Sequence, residues 1–161
     1  MIISKHSAMS KLDVANRLIS VNGQTSTTYA YRCNGKSIGQ FGCESDRVSQ
    51  TVDGVTTNYV LDQAAPLTQV LSDGTNTYLY GNDRIVQSNG VNSEYFLPDA
   101  LGSVRQLANS AGEITLTQNY APYGEILNAT GTVSTAYAFT GEMADPSGLL
   151  YFTIYIQILR I

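Results

Sequence analysis

The sequence predicts an all-β protein whose antiparallel hairpins repeat along the chain and form a meander or a curved sheet. Glu and Lys, which favour helices, are scarce, whereas the strand formers Thr, Tyr, Val and Ile are plentiful. Dipeptides of Asn or Asp followed by Gly also recur, and they favour hairpin turns because both residues tolerate positive φ. These dipeptides are Asn22-Gly23, Asn34-Gly35, Asp53-Gly54, Asp73-Gly74 and Asn89-Gly90.

The segments between these turns are rich in β-branched and aromatic residues, and each is long enough for one strand. We therefore expect strands at Val55–Leu61, Thr75–Tyr80, Arg84–Ser88 and Val91–Leu97. A strand, a tight turn and a returning strand form the repeating unit of a meander or a solenoid-like array. Because turn dipeptides interrupt the long segments, no helix longer than about three turns is expected.

An arginine recurs in one local pattern. Asn16-Arg17-Leu18, Asp46-Arg47-Val48 and Asp83-Arg84-Ile85 each place an acid or amide before the arginine and an apolar residue after it. Two structural roles are open for these arginines: pairing with aspartates of the repeats, or stacking over tyrosine rings.

Tyrosines follow the same units. Thr28–Tyr31 and Thr77–Tyr80 share the pattern T-Y-x-Y, in which the two tyrosines lie on one sheet face. This predicts a ladder of tyrosines packed across neighbouring strands, with Tyr78, Tyr95 and Tyr120 mostly buried. The alternative is an exposed aromatic surface that binds a sugar.

Charge and hydropathy exclude several classes of protein. A formal net charge of −4 with nine Lys and Arg provides no basic stripe for a phosphate backbone, so nucleic-acid binding is disfavoured. The first residues contain no apolar run of signal-peptide length. The longest apolar stretch, Leu149–Ile161, is interrupted by polar residues and is shorter than the roughly 20 residues of a membrane-spanning helix. We interpret it as a buried strand, not a membrane span.

Metal and catalytic chemistry have few candidate residues. Cys33 and Cys43 can in principle pair, but one pair is not a disulfide framework, and we expect free thiols. His6, the single histidine, lies near the N-terminus. Neither a zinc site nor a Ser-His-Asp or Cys-His centre is therefore expected, and no cofactor is predicted.

Four ordered elements between Tyr95 and Tyr151 form the most specific pattern in the chain: D-x-x-G-S-x-x-x-L, Y-x-x-x-G, F-x-G-x-x-x-D and G-L-x-Y. The pattern resembles the repeat-associated core segment of the Rhs/YD-repeat family. Each element also has a local interpretation, since the glycines suit turns and Asp99 is placed to cap the turn that leads to Ser103. The motif positions are Tyr95, Asp99, Gly102, Ser103, Leu107, Tyr120, Gly124, Phe139, Gly141, Asp145, Gly148, Leu149 and Tyr151.

The resemblance divides the chain. Residues 1–11 are predicted to be an N-terminal tail, 12–94 to be YD-like hairpin repeats that are degenerate at 32–45, and 95–152 to be the core segment. Residues 153–161 form a divergent C-terminal strand, where the family's arginine- and tyrosine-rich continuation and its self-cleavage motif are missing. The chain is therefore expected to be a truncated family member.

The resemblance implies a function. Proteins of this family form a β-shell that encapsulates a C-terminal toxin or effector, so we expect a non-enzymatic structural module, secreted or at the cell surface. Its partners would be other YD repeats and an effector domain. The alternative is a cell-surface module that binds carbohydrate or protein. A hydrolase would depend on Asp99 and Asp145, and we do not expect one.

The C-terminal segment is also a candidate for self-association. Phe152, Ile154, Ile156 and Ile158 alternate with Tyr151, Thr153, Tyr155 and Gln157, and no charge precedes Arg160. This is the composition of an aggregation-prone strand.

Overall fold

The structure is a computed structural model that describes residues 9–13, 15, 17–23, 25–37, 43–65 and 67–151, with the backbone alone at 34–37 and 43–45. The predicted all-β class is confirmed, because the described residues form strands and one short 3₁₀ turn, Phe139–Gly141. The strands are β1 Met9–Leu12, β2 Leu18–Asn22, β3 Ser26–Ser37, β4 Cys43–Val52, β5 Val55–Asn58, β6 Val60–Asp62, β7 Gln69–Ser72, β8 Thr77–Tyr80, β9 Arg84–Ser88, β10 Ser93–Pro98, β11 Val104–Asn109, β12 Ile114–Tyr120, β13 Ile126–Gly131, β14 Met143–Ala144 and β15 Leu150–Tyr151.

The strands form three antiparallel sheets in which neighbours in sequence are neighbours in space. The first sheet holds β1 to β5, the second holds β6 to β13, and β14 pairs with β15. This sequential order is the predicted meander. It arises because each short turn returns the chain beside the strand that it has just left.

The chain passes from the first sheet to the second at Tyr59. The segment Val55–Leu61 was predicted to be one strand, but it is divided into β5, which pairs with β4, and β6, which pairs with β7. At the division, the Tyr59 N–H donates to Val48 O at 2.9 Å, so β4 still holds the backbone. A local pattern cannot predict this exchange of partners, because it depends on which strands lie beside the segment.

Most of the predicted turns are confirmed. Asp53-Gly54, Asp73-Gly74 and Asn89-Gly90 each connect two paired strands, and φ of Asp53 and Gly54 is 48° and 86°. Asn34-Gly35 is different, because it lies inside β3. The prediction of a turn there is wrong, since pairing of β3 with β4 extends on both sides of this dipeptide with a register shift. Cys33 is disulfide-bonded, so the expectation of a free thiol is also wrong.

Residues 132–151, called here the return segment, run back over one face of both sheets. Near β13, Thr132 N–H donates to Thr115 O at 2.9 Å; farther along, Ala138 O accepts from the Val104 N–H at 3.0 Å. The segment reaches β3 in the first sheet, where Ser147 Oγ lies 3.1 Å from the Tyr29 hydroxyl.

The return segment completes the apolar core. The buried side chains come from both sides of this contact: Tyr59, Tyr78, Phe96, Val104, Leu107 and Leu116 from the sheets and their connection, and Tyr137 and Met143 from the return segment. Tyr137 contacts Tyr78 and Phe96 edge to face, with ring centroids 5.0 and 6.2 Å apart.

Candidate functional site

Arg47 and Asp145 form a buried ion pair between β4 and the return segment. Arg47 Nη1 donates to both carboxylate oxygens of Asp145, at 2.9 Å for Oδ1 and 2.7 Å for Oδ2. The two residues are 3% and 8% exposed. Burial removes both charged groups from water at a cost in free energy. The attraction between the two charges and their two hydrogen bonds must offset that cost.

Three tyrosines surround this guanidinium. Its Cζ lies 4.0 Å from the ring centroid of Tyr151, 5.3 Å from that of Tyr29 and 5.5 Å from that of Tyr59. The backbone N–H of Arg47 also donates to the Tyr151 hydroxyl at 3.3 Å. We call Arg47, Asp145 and these three tyrosines the Arg47 cluster.

Electrostatics follows from this burial. Burial alone works to lower the pKa of Arg47, but the nearby Asp145 carboxylate outweighs it and raises the pKa above its ordinary value. Burial raises the pKa of Tyr59 to about 12, although the Arg47 charge opposes the shift. The pKa of Tyr151 is also raised, first by burial. Arg47 therefore stays charged and its tyrosines stay neutral at physiological pH.

Asp145 occupies the first position of a turn that recurs in this chain. A five-residue turn recurs at Asp99–Ser103, Asn109–Glu113, Ala121–Glu125, Ala138–Glu142 and Asp145–Leu149. In each, the first N–H donates to the fifth carbonyl, the fourth N–H donates to the first carbonyl, and the fourth residue is a glycine at positive φ.

Two of these turns are capped by their own first side chain. Asp99 Oδ1 accepts from the N–H groups of Leu101 and Ser103, both at 3.0 Å, as the sequence predicted. Asn109 Oδ1 does the same for Ala111 and Glu113. The Asp145 carboxylate does not cap its own turn but accepts from Arg47. An aspartate in the first position of this turn therefore joins the return segment to β4.

Arg84 occupies a second aromatic cluster. Its Cζ lies 3.1 Å from the ring centroid of Tyr137 and 5.5 Å from those of Tyr80 and Phe96. Nη1 donates to Gly141 O at 3.2 Å, which again connects a sheet to the return segment. Both roles left open for the arginines are thus present: stacking at Arg84, and stacking together with pairing at Arg47 and at Arg17, which binds Asp13 and lies over Tyr31.

The remaining motif glycines lie where segments approach closely. Gly102, at φ +82°, lies against the backbone of Thr140, and the Thr140 N–H donates to Ser103 Oγ at 3.1 Å. Gly124, at φ +90°, faces Phe139, whose ring would lie 2.8 Å from an added Cβ. Phe139 in turn contacts Tyr120 edge to face, with centroids 5.8 Å apart.

The other motif residues do not share one site. Leu107 is fully buried in the core, Gly148 takes positive φ in the last turn and Leu149 is partly exposed beside it. Tyr95 is 42% exposed, so the prediction that it is buried is wrong. Alternation places Tyr95 on the face of β10 opposite Phe96, and the return segment covers the face that carries Phe96. Tyr78 is buried as predicted, and Tyr120 is half-buried.

The predicted ladder of tyrosines is also wrong. Tyr29 and Tyr78 do lie on a covered face, but their cross-strand partners are Gln50 and Gln87. Tyr29 instead lies under Arg47 of β4, and Tyr78 contacts Tyr137 of the return segment. Alternation in the sequence predicts which residues share a sheet face. It does not predict contacts between that face and a segment that covers it.

Sequence reasoning missed two features. Tyr59 and Tyr137 belong to no repeated pattern, so nothing marked them as members of the arginine clusters.

The sequence S-[DN]-G-x-N occurs twice, at 72–76 and 88–92. Both copies fold alike: the serine Oγ accepts from the glycine N–H and donates to the carbonyl of the final asparagine. That repeat was a signal available in the sequence.

No group of three or more His, Cys, Asp or Glu in the described ranges is arranged to hold a metal ion. His6 lies outside those ranges, as do residues 152–161. No helix in the described part of the chain is long and apolar enough to cross a membrane.

Comparison with known proteins identifies the fold. No family model and no curated protein matches the sequence. A crystal structure of TcdB2-TccC3-TEV is similar with a TM-score of 0.64 and 16% identity, over 91% of this chain and 8% of that chain. TcdB2-TccC3 gives a TM-score of 0.59 and 16% identity, over 94% and 8%. TcdB2-TccC3 without its hypervariable C-terminal region gives 0.57 and 15%, over 91% and 8%.

These neighbours are Tc toxin chains of the Rhs/YD-repeat shell type. The similarity shows a fold like that of a YD-repeat shell. This chain spans 8% of the length of each of those neighbours.

Proposed function

We propose that this chain is a non-enzymatic structural module that forms part of the wall of a larger β-shell. The observation that carries the proposal is the position of the arginine clusters. Arg47 and Arg84 each join a sheet to the return segment, so two arginines, of which Arg47 is buried, hold separate layers together. Rigid layering of this kind is what a wall requires.

The acidic residues of the motifs support a structural role. The Asp99 carboxylate is engaged in its turn and the Asp145 carboxylate is engaged by Arg47, so neither is placed as one of a pair of reacting carboxylates. We expect no glycosidase or esterase turnover. Turnover that is abolished by Asp99→Asn or by Asp145→Asn in a folded variant would reject the non-enzymatic role.

A wall continues through its sheet edges. Among the described strands, β13 pairs with β12 alone, and all six of its residues are exposed. An edge of unpaired N–H and C=O groups accepts another strand. In the proposed shell, further YD-like repeats pair there, and the completed shell encloses a C-terminal effector. The length of the structural neighbours supports this larger context.

Edge pairing is testable on the chain itself. At high concentration, β13 of one copy substitutes for the missing repeat, so sedimentation velocity should show concentration-dependent association. Hydrogen exchange should then show added protection of β13 amides. Ala129→Lys puts a charge on the edge and should remove the part of the association that depends on β13. Asn119→Lys adds the same charge to the inner strand β12 and serves as the control.

Two results would reject the wall proposal. One is a chain that stays monomeric at every concentration, with freely exchanging β13 amides. The other is equal association of the Ala129→Lys and Asn119→Lys variants, because association would then not depend on this edge.

The alternative, a binding module, has one specific observation in its favour. Tyr123 is 95% exposed and borders a pocket of about 580 Å³ together with Ile126 and Leu149. An exposed ring beside a pocket suits a sugar or an apolar side chain. Tyr123→Ala that leaves stability unchanged but abolishes binding on a glycan array would favour this function over the wall.

A further inference from the structure

A polar cleft lies beside the return segment, at the ends of β9 and β10 away from both arginine clusters. It consists of two adjoining pockets of about 260 and 430 Å³. Both are lined by Asn92, Glu94, Thr132 and Val133. Glu94 is the single charged residue among the side chains that line either pocket.

Glu94 is an incompletely compensated carboxylate. It is 6% exposed, and its Oε2 accepts a hydrogen bond from the Thr115 hydroxyl. Within the described part of the chain, no lysine or arginine forms an ion pair with it. Buried charges in proteins are ordinarily paired, so this carboxylate favours a cation in the cleft.

Gln87 supplies a second acceptor at the same place. It is the cross-strand partner of Glu94 and is 3% exposed. Its Nε2 donates to Ser134 O at 2.8 Å, which fixes the orientation of the amide. No donor in the described ranges reaches Gln87 Oε1. Directly opposed residues place their Cβ atoms about 4.5–5.5 Å apart, so the two side chains are neighbours beside the cleft.

We propose that this cleft binds a primary ammonium group. An ammonium carries the positive charge that compensates the Glu94 carboxylate. It also has three N–H donors, enough for Glu94, Gln87 Oε1 and one further oxygen of the cleft. A neutral hydroxyl would leave the carboxylate uncompensated. The group comes either from a free alkylamine or from a lysine of a polypeptide that lies against this face.

The test is a titration followed by two-dimensional NMR of the labelled chain. The probes are n-butylammonium chloride, the peptide acetyl-Gly-Lys-Gly-amide and the same peptide with norleucine in place of lysine. Asn92→Lys places a tethered ammonium at the exposed rim of the cleft, and it should weaken binding at least tenfold. Asn119→Lys adds the same charge on β12, outside the cleft, and should leave affinity unchanged.

The expected result is a saturable shift of the Gln87 side-chain amide and of the Glu94 backbone amide with an ammonium probe, and none with norleucine. Binding of butylammonium without the lysine peptide assigns the cleft to free amines; binding of the lysine peptide shows that a protein side chain can enter. Glu94→Gln should abolish binding, while Glu125→Gln, at an exposed site, should not. Equal affinity in Asn92→Lys and Asn119→Lys, no shift at millimolar amine, or equal shifts with norleucine would overturn the proposal.

Discussion

Arg47 and Asp145 lie 98 positions apart in the chain, yet Arg47 Nη1 is 2.7 Å from Asp145 Oδ2 in a site that solvent barely reaches. The pair brings a strand of the first sheet to the turn of the last hairpin. It therefore connects the predicted YD-like repeats, 12–94, with the predicted core segment, 95–152. Tyr29 and Ser147 reinforce the same contact.

Two buried tyrosine hydroxyls should respond differently to removal. The Tyr59 hydroxyl has no hydrogen-bond partner among the described residues, whereas the Tyr78 hydroxyl donates to Asp73. Tyr59→Phe should change the free energy of unfolding by less than about 1 kcal/mol, because it removes an unsatisfied polar atom. Tyr78→Phe should cost about 1–3 kcal/mol. Urea unfolding measures both, and an equal loss in the two variants would contradict the assigned hydrogen bonds.

Stability should fall at alkaline pH. Burial raises the pKa of Tyr59 to about 12 from its ordinary value of 10. The neutral phenol is thus favoured in the folded state, so this contribution is fully present below pH 10 and is lost as the pH rises from 10 towards 12. Urea unfolding at pH 8 to 12 should show this loss, and Tyr59→Phe should reduce its slope. An unchanged slope in that variant would show that Tyr59 does not contribute.

Gly131 should be intolerant of any side chain. It lies at φ +145°, and an added Cβ would be 2.2 Å from Thr115 O. Gly131→Ala should therefore cost about 3 kcal/mol or more, from backbone strain together with the clash. Gly112 is the control, since it has φ +83° and nothing within 4 Å of its added Cβ. Gly112→Ala should cost about 1–2 kcal/mol. Equal thermal destabilisation of the two variants would show that the close approach of β12 is not as described.

Deleting the chain after Phe152 should improve solubility. The deleted residues lie outside the described ranges, and the prediction is based on their apolar, β-branched composition. Light scattering of the full chain and of the deletion should show less association in the deletion. A full-length monomer that becomes less soluble on deletion would show that these residues form a native strand of the core.

The sequence predicts what depends on local chemistry. Strand β9 was predicted as Arg84–Ser88 and is found with the same bounds. The turns at Asp53-Gly54 and Asn89-Gly90 are present because positive φ is a property of the turn residues themselves. Alternation likewise placed Tyr29 and Tyr31 on one face of β3.

The sequence does not predict what depends on the return segment. Alternation separates Tyr95 from Phe96 but does not show which face will be covered, and residues 132–151 decide that. Asn34-Gly35 has the composition of a turn, yet long pairing between β3 and β4 keeps it in a strand. The choice of Asp145 as the partner of Arg47 depends on a contact between distant segments, for which no local pattern exists.

A double-mutant cycle on Arg47 and Asp145 tests most directly whether this pair fastens the return segment to the first sheet. Arg47→Met and Asp145→Asn should each cost about 3–5 kcal/mol in urea unfolding, because each leaves a buried charge unpaired. The double variant should cost much less than their sum. The pair Arg17 and Asp13 is less buried, and treated in the same way it should show weaker coupling. Additive losses at Arg47 and Asp145, to within about 0.5 kcal/mol, would contradict the fastening role.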